Sequence, residues 1–187
     1  RADGGAPSGK HLLLFISHNK GCQYYVGHYD APAGRFQPLS HGRMTWVDNT
    51  YFAPEALVDG QGRQIMWAWL TDNPAGEAER GWSGVYGLPR TLWVAEDNTL
   101  RMAPVQELAT LRACPRQWRD VRVDGTTTLD GVRGDACDLE IVVDSATATK
   151  YGVKVRMSPG AEEETLVYYD AQQQMLCFDS TRSGVDG

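Results

Sequence analysis

Short apolar segments alternate with turn-forming residues through the first hundred positions of the chain. Residues 10–17 form an apolar run between polar residues, and 22–29 alternate between two faces rich in Tyr and Val. The intervening segment 18–21 contains Asn and Gly, which tolerate the positive φ angles of tight turns. The pattern predicts a β-hairpin, followed by a short third strand over 35–39.

The same pattern repeats over 51–103. It predicts strands over 51–58, 64–70, 84–87, 90–95 and 100–103. Short strands with turn signals at regular spacing indicate an all-β protein, built as a sandwich, a barrel or the blades of a propeller. The exception is 104–112, where apolar residues recur at three-residue spacing and predict a helical connector.

Alternation continues in the last third of the chain with a different composition. It predicts strands over 118–123, 137–143, 151–157, 164–169 and 175–179. A meander with alternating faces is typical of a two-sheet sandwich. We therefore expect two domains, residues 1–111 and residues 112–187.

The net charge and the cysteine content reduce the classes of partner and cofactor that need to be considered. A net charge of −6 argues against nucleic acid as a partner, because binding to phosphates depends on Lys and Arg. No apolar run approaches the roughly 20 residues of a membrane helix, so no membrane partner is expected. The four cysteines form no CxxC pair, so we predict no metal site and no cofactor. Free thiols are favoured over a Cys137–Cys177 disulfide, which stays open as an alternative.

Aromatic residues concentrate between Trp46 and Arg90, beside Asp, Asn and Gly. Such a cluster forms either a β core or a platform for sugar rings, whose apolar faces stack on aromatic side chains. Strand periodicity predicts that Trp67 and Trp69 are core residues. Trp82 is left open between a pocket wall and the core.

Five stretches in order resemble glycoside hydrolase family 32, the invertases, levanases, inulinases and related β-fructofuranosidases. The stretches are 10–16 with Gln23-Tyr24-Tyr25-Val26-Gly27, Tyr51-Phe52-Ala53-Pro54, 63–70, Gly81-Trp82-Ser83-Gly84, and Leu88-Pro89-Arg90. They cover the chain from Lys10 to about Leu111, and the tail is similar to the start of the family's C-terminal sandwich. The resemblance implies the later blades of a five-bladed β-propeller followed by part of a β-sandwich. It also implies action on terminal β-fructofuranosides of the sucrose, levan or inulin type.

The catalytic motifs of that family are absent from this sequence. Retaining glycosidases use two carboxyl groups roughly 5–5.5 Å apart. The resemblance implies that these stand in Asn-Asp-Pro and Glu-Cys motifs, with a further Asp in Arg-Asp-Pro, and none of the three motifs occurs here. We therefore expect a fragment that begins just after the acid/base and is inactive alone. The carboxylates in and beside the aromatic cluster are interpreted as loop charges, and no catalytic residue is predicted.

Sugar-binding residues are predicted instead. By resemblance, Phe52 lines the fructose pocket with Tyr51 beside it, although the family more often has Tyr at the position of Phe52. Asp48 stands near the family's Asp-x-Gly motif with one extra residue, and Asp72 and Asn73 follow a predicted strand at the pocket rim. The predicted substrate-binding set is Asp48, Tyr51, Phe52, Asp72, Asn73 and Trp82.

Two functional hypotheses follow, together with one on assembly. The first is a piece of a β-fructofuranosidase whose partner is a fructose-containing oligo- or polysaccharide. The alternative is a non-catalytic carbohydrate-binding or structural β module. An open propeller exposes sheet edges, so self-association through those edges is also expected.

Overall fold

The structure is a computed structural model that describes residues 7–45, 49–71, 81–144 and 147–184. Within these ranges the chain forms antiparallel β-strands in three sheets, together with a short 3₁₀ helix. The predicted all-β class is confirmed. No helix in this part of the chain combines the length and apolar character needed to cross a membrane.

The chain divides into two compact units, residues 1–113 and residues 114–187. Each unit contains its own sheets and is described separately below. The domain boundary expected near residue 111 stays a prediction.

The first sheet of the first unit is the predicted hairpin with a third strand. Its strands, in the order β1-β2-β3, are β1 (His11–Ser17), β2 (Gly21–Asp30) and β3 (Arg35–Arg43). The third strand is longer than predicted, and its pairing with β2 continues across a register shift between Val26 and Gly27.

The second sheet contains the other strands of this unit. They are β4 (Tyr51–Val58), β5 (Gln64–Leu70), β6 (Val85–Tyr86), β7 (Arg90–Val94) and β8 (Leu100–Pro104). The order is β4-β5-β7-β8, and β6 pairs with the end of β5. The predicted ends of β4 and β5 are confirmed to the residue. The predicted helical connector is a 3₁₀ helix, Gln106–Leu111.

The core of the first unit lies where these two sheets pack together. Cys22 and Val26 of β2 and Met66 of β5 are fully buried. The same cluster contains Tyr24, Tyr51, Ala68, Leu92 and Leu100. Because both sheets contribute side chains, the ends of β1, β2, β4 and β5 are held in fixed relative positions.

A buried arginine ties the β4–β5 turn to the 3₁₀ helix. Arg63 is only 5% exposed, and its Nε donates to Asp59 Oδ2 at 2.7 Å. Its Nη1 and Nη2 donate to the two carboxylate oxygens of Glu107 at 3.1 and 2.7 Å. These hydrogen bonds lower the pKa of Glu107. A buried guanidinium needs such pairing, so this clamp fixes the turn end of the second sheet.

The second unit contains the third sheet, in the order β9-β10-β11. Its strands are β9 (Lys150–Val155), β10 (Glu164–Asp170) and β11 (Met175–Arg182). Glu164 is buried in this sheet and accepts from Lys154 at 3.0 Å and Arg182 at 2.9 Å. The buried carboxylate is therefore paired on both sides.

The strands predicted over 118–123 and 137–143 are wrong. Both segments lie outside any strand, and their side chains are exposed. Alternating apolar and polar residues allow a segment to bury one face as a β-strand. A strand also requires a neighbouring strand that pairs with its N–H and C=O groups. No described residue of the chain pairs with either segment in a sheet.

All four cysteines are free thiols, and they differ in exposure. Burial raises the pKa of Cys22 to about 12, and the positive charge of Arg90 opposes this only in part. Cys114 and Cys137 are exposed. Since the thiolate is the nucleophile, a pKa of about 12 leaves roughly one thiolate in ten thousand at pH 8.

We expect a thiol reagent at pH 8 to modify Cys114 and Cys137 in the folded chain, and Cys22 only after unfolding. Mass spectrometry of the labelled peptides at successive times measures the three rates. Labelling of Cys22 as fast as that of Cys114 in the folded protein would contradict the buried position.

Candidate functional site

Three aromatic rings from three chain segments meet at one end of the first unit. His18 lies in the β1–β2 turn, Phe52 near the start of β4 and Trp69 near the end of β5. Phe52 and Trp69 are partners across the antiparallel pair, with ring centroids 6.4 Å apart in an edge-to-face arrangement at 84°. The rings of His18 and Phe52 are 5.6 Å apart at 45°. We call these three side chains the ring row.

A β-bulge in β4 creates this arrangement. Phe52 pairs with Trp69 but Glu55 pairs with Trp67, so Ala53 and Pro54 together lie opposite one residue of β5. Ala53 has a φ of 46°, in the left-handed region. That conformation costs a non-glycine residue about 1–2 kcal/mol. Bulges of this kind re-aim side chains and are frequent beside functional sites.

Trp69 lies against backbone rather than in the core. Gly84 has a φ of +65°, and a Cβ added there would collide with Nε1 of Trp69 and lie 2.7 Å from the carbonyl oxygen of Leu70. Only glycine therefore fits beneath the indole. Trp69 is nevertheless 39% exposed, so part of its ring is open to a ligand.

The prediction that Trp69 is a core residue is wrong, and Trp67 is only partly buried. Met66 and Ala68 occupy the core side of β5. Since successive side chains of a strand point to opposite faces, both Trp residues are directed to the other face.

The turn that carries His18 is anchored to the start of β4. The side-chain amide of Asn49 donates to the carbonyl oxygen of His18. Gly21 closes the same turn with a φ of +64°, and a Cβ there would lie 2.8 Å from the carbonyl oxygen of Tyr51. The backbone of the turn is therefore pressed against β4, which fixes the position of the His18 ring beside Phe52.

Tyr51, one of the predicted pocket residues, is 2% exposed and belongs to the core. The guanidinium carbon of Arg90 lies 4.5 Å from the centre of its ring. Burial raises the pKa of its phenol, and Arg90 works against this shift. No described residue hydrogen-bonds to its hydroxyl. The predicted contact of Tyr51 with sugar stays a prediction, and the buried ring does not favour it.

The other predicted residues divide into two groups. Phe52 is half-buried within the ring row. Trp82 is 54% exposed, which argues against the core alternative, and its place on a pocket wall stays a prediction. Asp48, Asp72 and Asn73 lie outside the described residues, and their roles stay predictions.

Sequence reasoning missed His18 and Trp69 as members of the site. Without the bulge, the register of the β4–β5 hairpin would place Phe52 opposite Leu70. The one-residue shift brings Trp69 opposite Phe52. Pro54 inside the predicted strand is a sequence signal for an edge strand or a bulge, but it does not fix the residue at which the register shifts, so strand periodicity alone could not give the aromatic pairing.

Several carboxylates of the first unit are engaged away from the ring row. Asp59 and Glu107 bind Arg63, and Asp97 pairs with Arg101 at 3.1 Å. The described residues also contain no group of three or more His, Cys, Asp or Glu side chains arranged to hold a metal ion. Within the ring row, the partly exposed indole of Trp69 beside the phenyl ring of Phe52 offers an apolar surface.

Comparison with protein families gives two matches that together span nearly the whole chain. Residues 6–104 match the glycosyl hydrolases family 32 N-terminal domain, and residues 107–187 match the glycosyl hydrolases family 32 C-terminal domain.

Curated relatives include a fructan 1-exohydrolase of Aegilops tauschii, 30% identical over 152 residues, which are 75% of this chain and 26% of that protein. The insoluble isoenzyme 7 of β-fructofuranosidase from Oryza sativa subsp. indica is 33% identical over 153 residues, 74% of this chain and 26% of its own length. This chain therefore spans about a quarter of the length of these relatives.

Solved structures give the same fold. A fructan 1-exohydrolase IIa variant of Cichorium intybus in complex with 1-kestose has a TM-score of 0.71 at 20% identity, over 94% of this chain and 42% of that one. An exo-inulinase of Aspergillus awamori has a TM-score of 0.58 at 18% identity, over 94% and 38%. These neighbours are propeller and sandwich enzymes, so the predicted class of later propeller blades followed by part of a sandwich is confirmed.

Replacing Gly84 tests the support beneath Trp69. We expect Gly84→Ala to displace the indole, because the added Cβ collides with Nε1. The tryptophan fluorescence and near-UV circular dichroism should change, and the strained φ should lower the free energy of unfolding by about 1–2 kcal/mol.

Gly62→Ala is the matched control. Gly62 has a φ of +79°, and a Cβ there meets no described atom within 4 Å. The control should lose only the contribution of the strained φ, about 1–2 kcal/mol and less than Gly84→Ala, and should keep the parent spectrum. A parent-like spectrum in Gly84→Ala as well would show that the indole does not rest on Gly84.

Proposed function

Because this chain belongs to glycosyl hydrolase family 32, we propose that it forms part of the sugar-binding wall of an enzyme that hydrolyses terminal β-fructofuranosides. The terminal fructose stacks against Trp69 and Phe52. The observation that carries the proposal is the partly exposed Trp69, held by Gly84 and set edge-to-face to Phe52.

The physical basis is the two-sided character of a sugar. Its C–H groups form an apolar patch that an indole or phenyl ring covers, while its hydroxyl groups require polar partners. Phe52 offers no hydroxyl, so it contributes contact area only. The proposed polar partners are Asp48, Asp72 and Asn73, which lie close in sequence to the two ends of the described segment 49–71. Trp82 is proposed at the rim.

Binding and bond cleavage are assigned to different groups in this proposal. Cleavage with retention needs a nucleophile and an acid/base about 5–5.5 Å apart. The sequence contains none of the family motifs that carry such carboxylates. We therefore propose that this chain binds fructosides and does not hydrolyse them by itself. Residues 1–111 are assigned to the propeller and 112–187 to the sandwich.

A non-catalytic fructan-binding module is the second candidate, favoured by the same absence of motifs. It requires that the natural polypeptide containing this chain binds fructans and releases no fructose. A fructose-release assay on that polypeptide, isolated from its source, separates the two candidates. Release would support the hydrolase.

Self-association belongs to this proposal as well. Strands β1 and β3 are the edges of the first sheet as described, and Phe15, Tyr25 and His41 form a stack of rings on its outer face, with centroids 5.2 and 4.7 Å apart. Edge strands and apolar faces of this kind pair with other chains.

We expect light scattering of the 187-residue chain to give a mass that rises with concentration. Leu13→Lys, at an exposed position of β1, should shift the mass toward the monomer because a charge on an edge strand opposes pairing. A monomeric mass for the parent chain at all concentrations would contradict this expectation.

Substitution of Trp69 tests the binding wall. We expect the chain to bind 1-kestose with a Kd on the order of 1 mM, since a few stacking contacts supply only about 4 kcal/mol. Trp69→Ala should weaken binding about tenfold, the worth of one good aromatic contact. Isothermal titration calorimetry measures both, and a parallel assay should find no fructose released by the chain.

Trp118→Ala is the control, because Trp118 is 40% exposed, as Trp69 is, and lies in the second unit. It should bind as the parent does. Equal affinity of the parent and Trp69→Ala, or no heat from the parent at millimolar sugar, would overturn the proposed wall.

A further inference from the structure

Several aspartates of the chain are followed directly by glycine, and the structure places them in different surroundings. The pairs within the described residues are Asp59–Gly60, Asp124–Gly125 and Asp130–Gly131, whereas those at 3–4 and 186–187 lie outside them. An aspartate before glycine isomerises spontaneously more readily than other aspartates, because glycine has no Cβ to hinder ring closure at its nitrogen. The surroundings of each pair therefore determine which aspartate reacts in the folded chain.

The isomerisation needs no reagent except water. The backbone nitrogen of the glycine attacks Cγ of the preceding aspartate, the N–H proton is lost, and one carboxyl oxygen leaves as water, which closes a five-membered succinimide. Water then adds to one of the two ring carbonyl groups. Opening at the α-carbonyl gives isoaspartate, in which the chain continues through Cβ and Cγ and the α-carboxylate is free. The first step requires the aspartate side chain to turn toward the glycine nitrogen.

Asp59 is held away from that geometry by Arg63. Its Oδ1 accepts hydrogen bonds from the amide of Gln61 at 2.9 Å and from that of Arg63 at 2.8 Å, and its Oδ2 accepts from Nε of Arg63 at 2.7 Å. The side chain is 17% exposed. These hydrogen bonds must break before the glycine nitrogen can reach Cγ, so the clamp that fixes the β4–β5 turn also protects Asp59.

Asp124 has none of these restraints. It is exposed and lies outside any strand, and no described residue donates a hydrogen bond to its carboxylate or pairs with it. A Cβ added at Gly125 meets no atom within 4 Å, and the same holds at Gly60. The space around the glycine therefore does not distinguish the two pairs. The difference lies in the carboxylate, which is held in Asp59 and can rotate in Asp124.

Asp130 stands between these two cases. It is exposed, and its carboxylate also receives no hydrogen bond from a described residue. The guanidinium of Arg116, however, lies beside the next residue, with Nη1 3.4 Å from the position of a Cβ on Gly131. A side chain packed there restricts the movement of the glycine backbone, so ring closure at Asp130 is slower than at Asp124.

We propose that Asp124 is the principal site of isoaspartate formation in the folded chain, followed by Asp130, while Arg63 protects Asp59. The inference is independent of sugar binding and goes beyond the proposed function. The free α-carboxylate of isoaspartate is the group that an isoaspartate carboxyl methyltransferase esterifies with the methyl group of S-adenosylmethionine. Asp124 is thus a carboxyl-modification site of the second unit, and its reaction leaves every residue of the proposed sugar wall chemically unchanged.

The test is the rate of isoaspartate formation at each pair, measured by mass-spectrometric peptide mapping of the 187-residue chain kept in neutral buffer for several weeks. We expect Asp124 to react at least about tenfold faster than Asp59, because Asp59 must first lose its hydrogen bonds. Asp124→Glu should remove the product from that peptide, because the larger ring closes more slowly. Methylation by the methyltransferase with labelled S-adenosylmethionine should fall in parallel.

The same chain in concentrated guanidinium chloride is the matched control. All three aspartates precede glycine, so their rates should converge once the structure is lost. Equal rates at Asp124 and Asp59 in the folded chain overturn the proposal. A ratio as large in denaturant as in the folded chain also overturns it, because the local sequence would then be the cause.

Two variants test the assigned restraints separately. Arg63→Ala, with circular dichroism to establish that the variant is folded, should raise the rate at Asp59 toward that at Asp124. Arg116→Ala should raise the rate at Asp130 and leave that at Asp59 unchanged. An unchanged rate at Asp59 in folded Arg63→Ala contradicts the protection by Arg63, and an unchanged rate at Asp130 in Arg116→Ala contradicts the ranking of Asp130.

Discussion

The site depends on one backbone irregularity, the bulge at Ala53 and Pro54. It shifts the pairing of β4 and β5 by one residue, so that Phe52 lies opposite Trp69 while Tyr51 stays in the core. Ala53 adopts a left-handed φ of 46° to make this possible, at a cost of about 1–2 kcal/mol. The core around Met66 must supply that free energy, so the aromatic pairing and the packing between the sheets are linked.

Two glycines and one arginine hold the surroundings of the bulge in place. Gly84 lets the indole of Trp69 lie on backbone, and Gly21 lets the β1–β2 turn contact the start of β4. At the other end of the same hairpin, Arg63 joins the β4–β5 turn to Glu107 of the 3₁₀ helix. The hairpin is thus fixed at both ends, which suits the proposed ligand wall, because a wall that keeps its shape before a sugar binds loses less conformational entropy on binding.

The fold was readable from the sequence because local patterns and tertiary structure agree over most of the first unit. Strands β4 and β5 begin and end where their alternation does. The predictions failed where the structure depends on a pairing strand or on a choice of buried face, because the local alternation of apolar and polar residues specifies neither. Segments 118–123 and 137–143 alternate but have no described partner. Trp69 alternates with the core residues Met66 and Ala68 and so lies on the other face of β5; only the fold shows which of the two faces is the core. Family resemblance pointed to Phe52, and its role in binding stays a prediction. The position of His18 beside Phe52 required the coordinates, since only the turn geometry brings its ring beside β4.

The proposed contact between the indole of Trp69 and the terminal fructose can be observed directly. Nuclear magnetic resonance of the chain with ¹⁵N-labelled tryptophan observes each indole N–H separately, and variants assign them. Titration with 1-kestose should move the Trp69 resonance progressively and leave that of Trp118, which is equally exposed, in place. A stationary Trp69 resonance at saturating sugar, or equal movement of both resonances, would contradict the account.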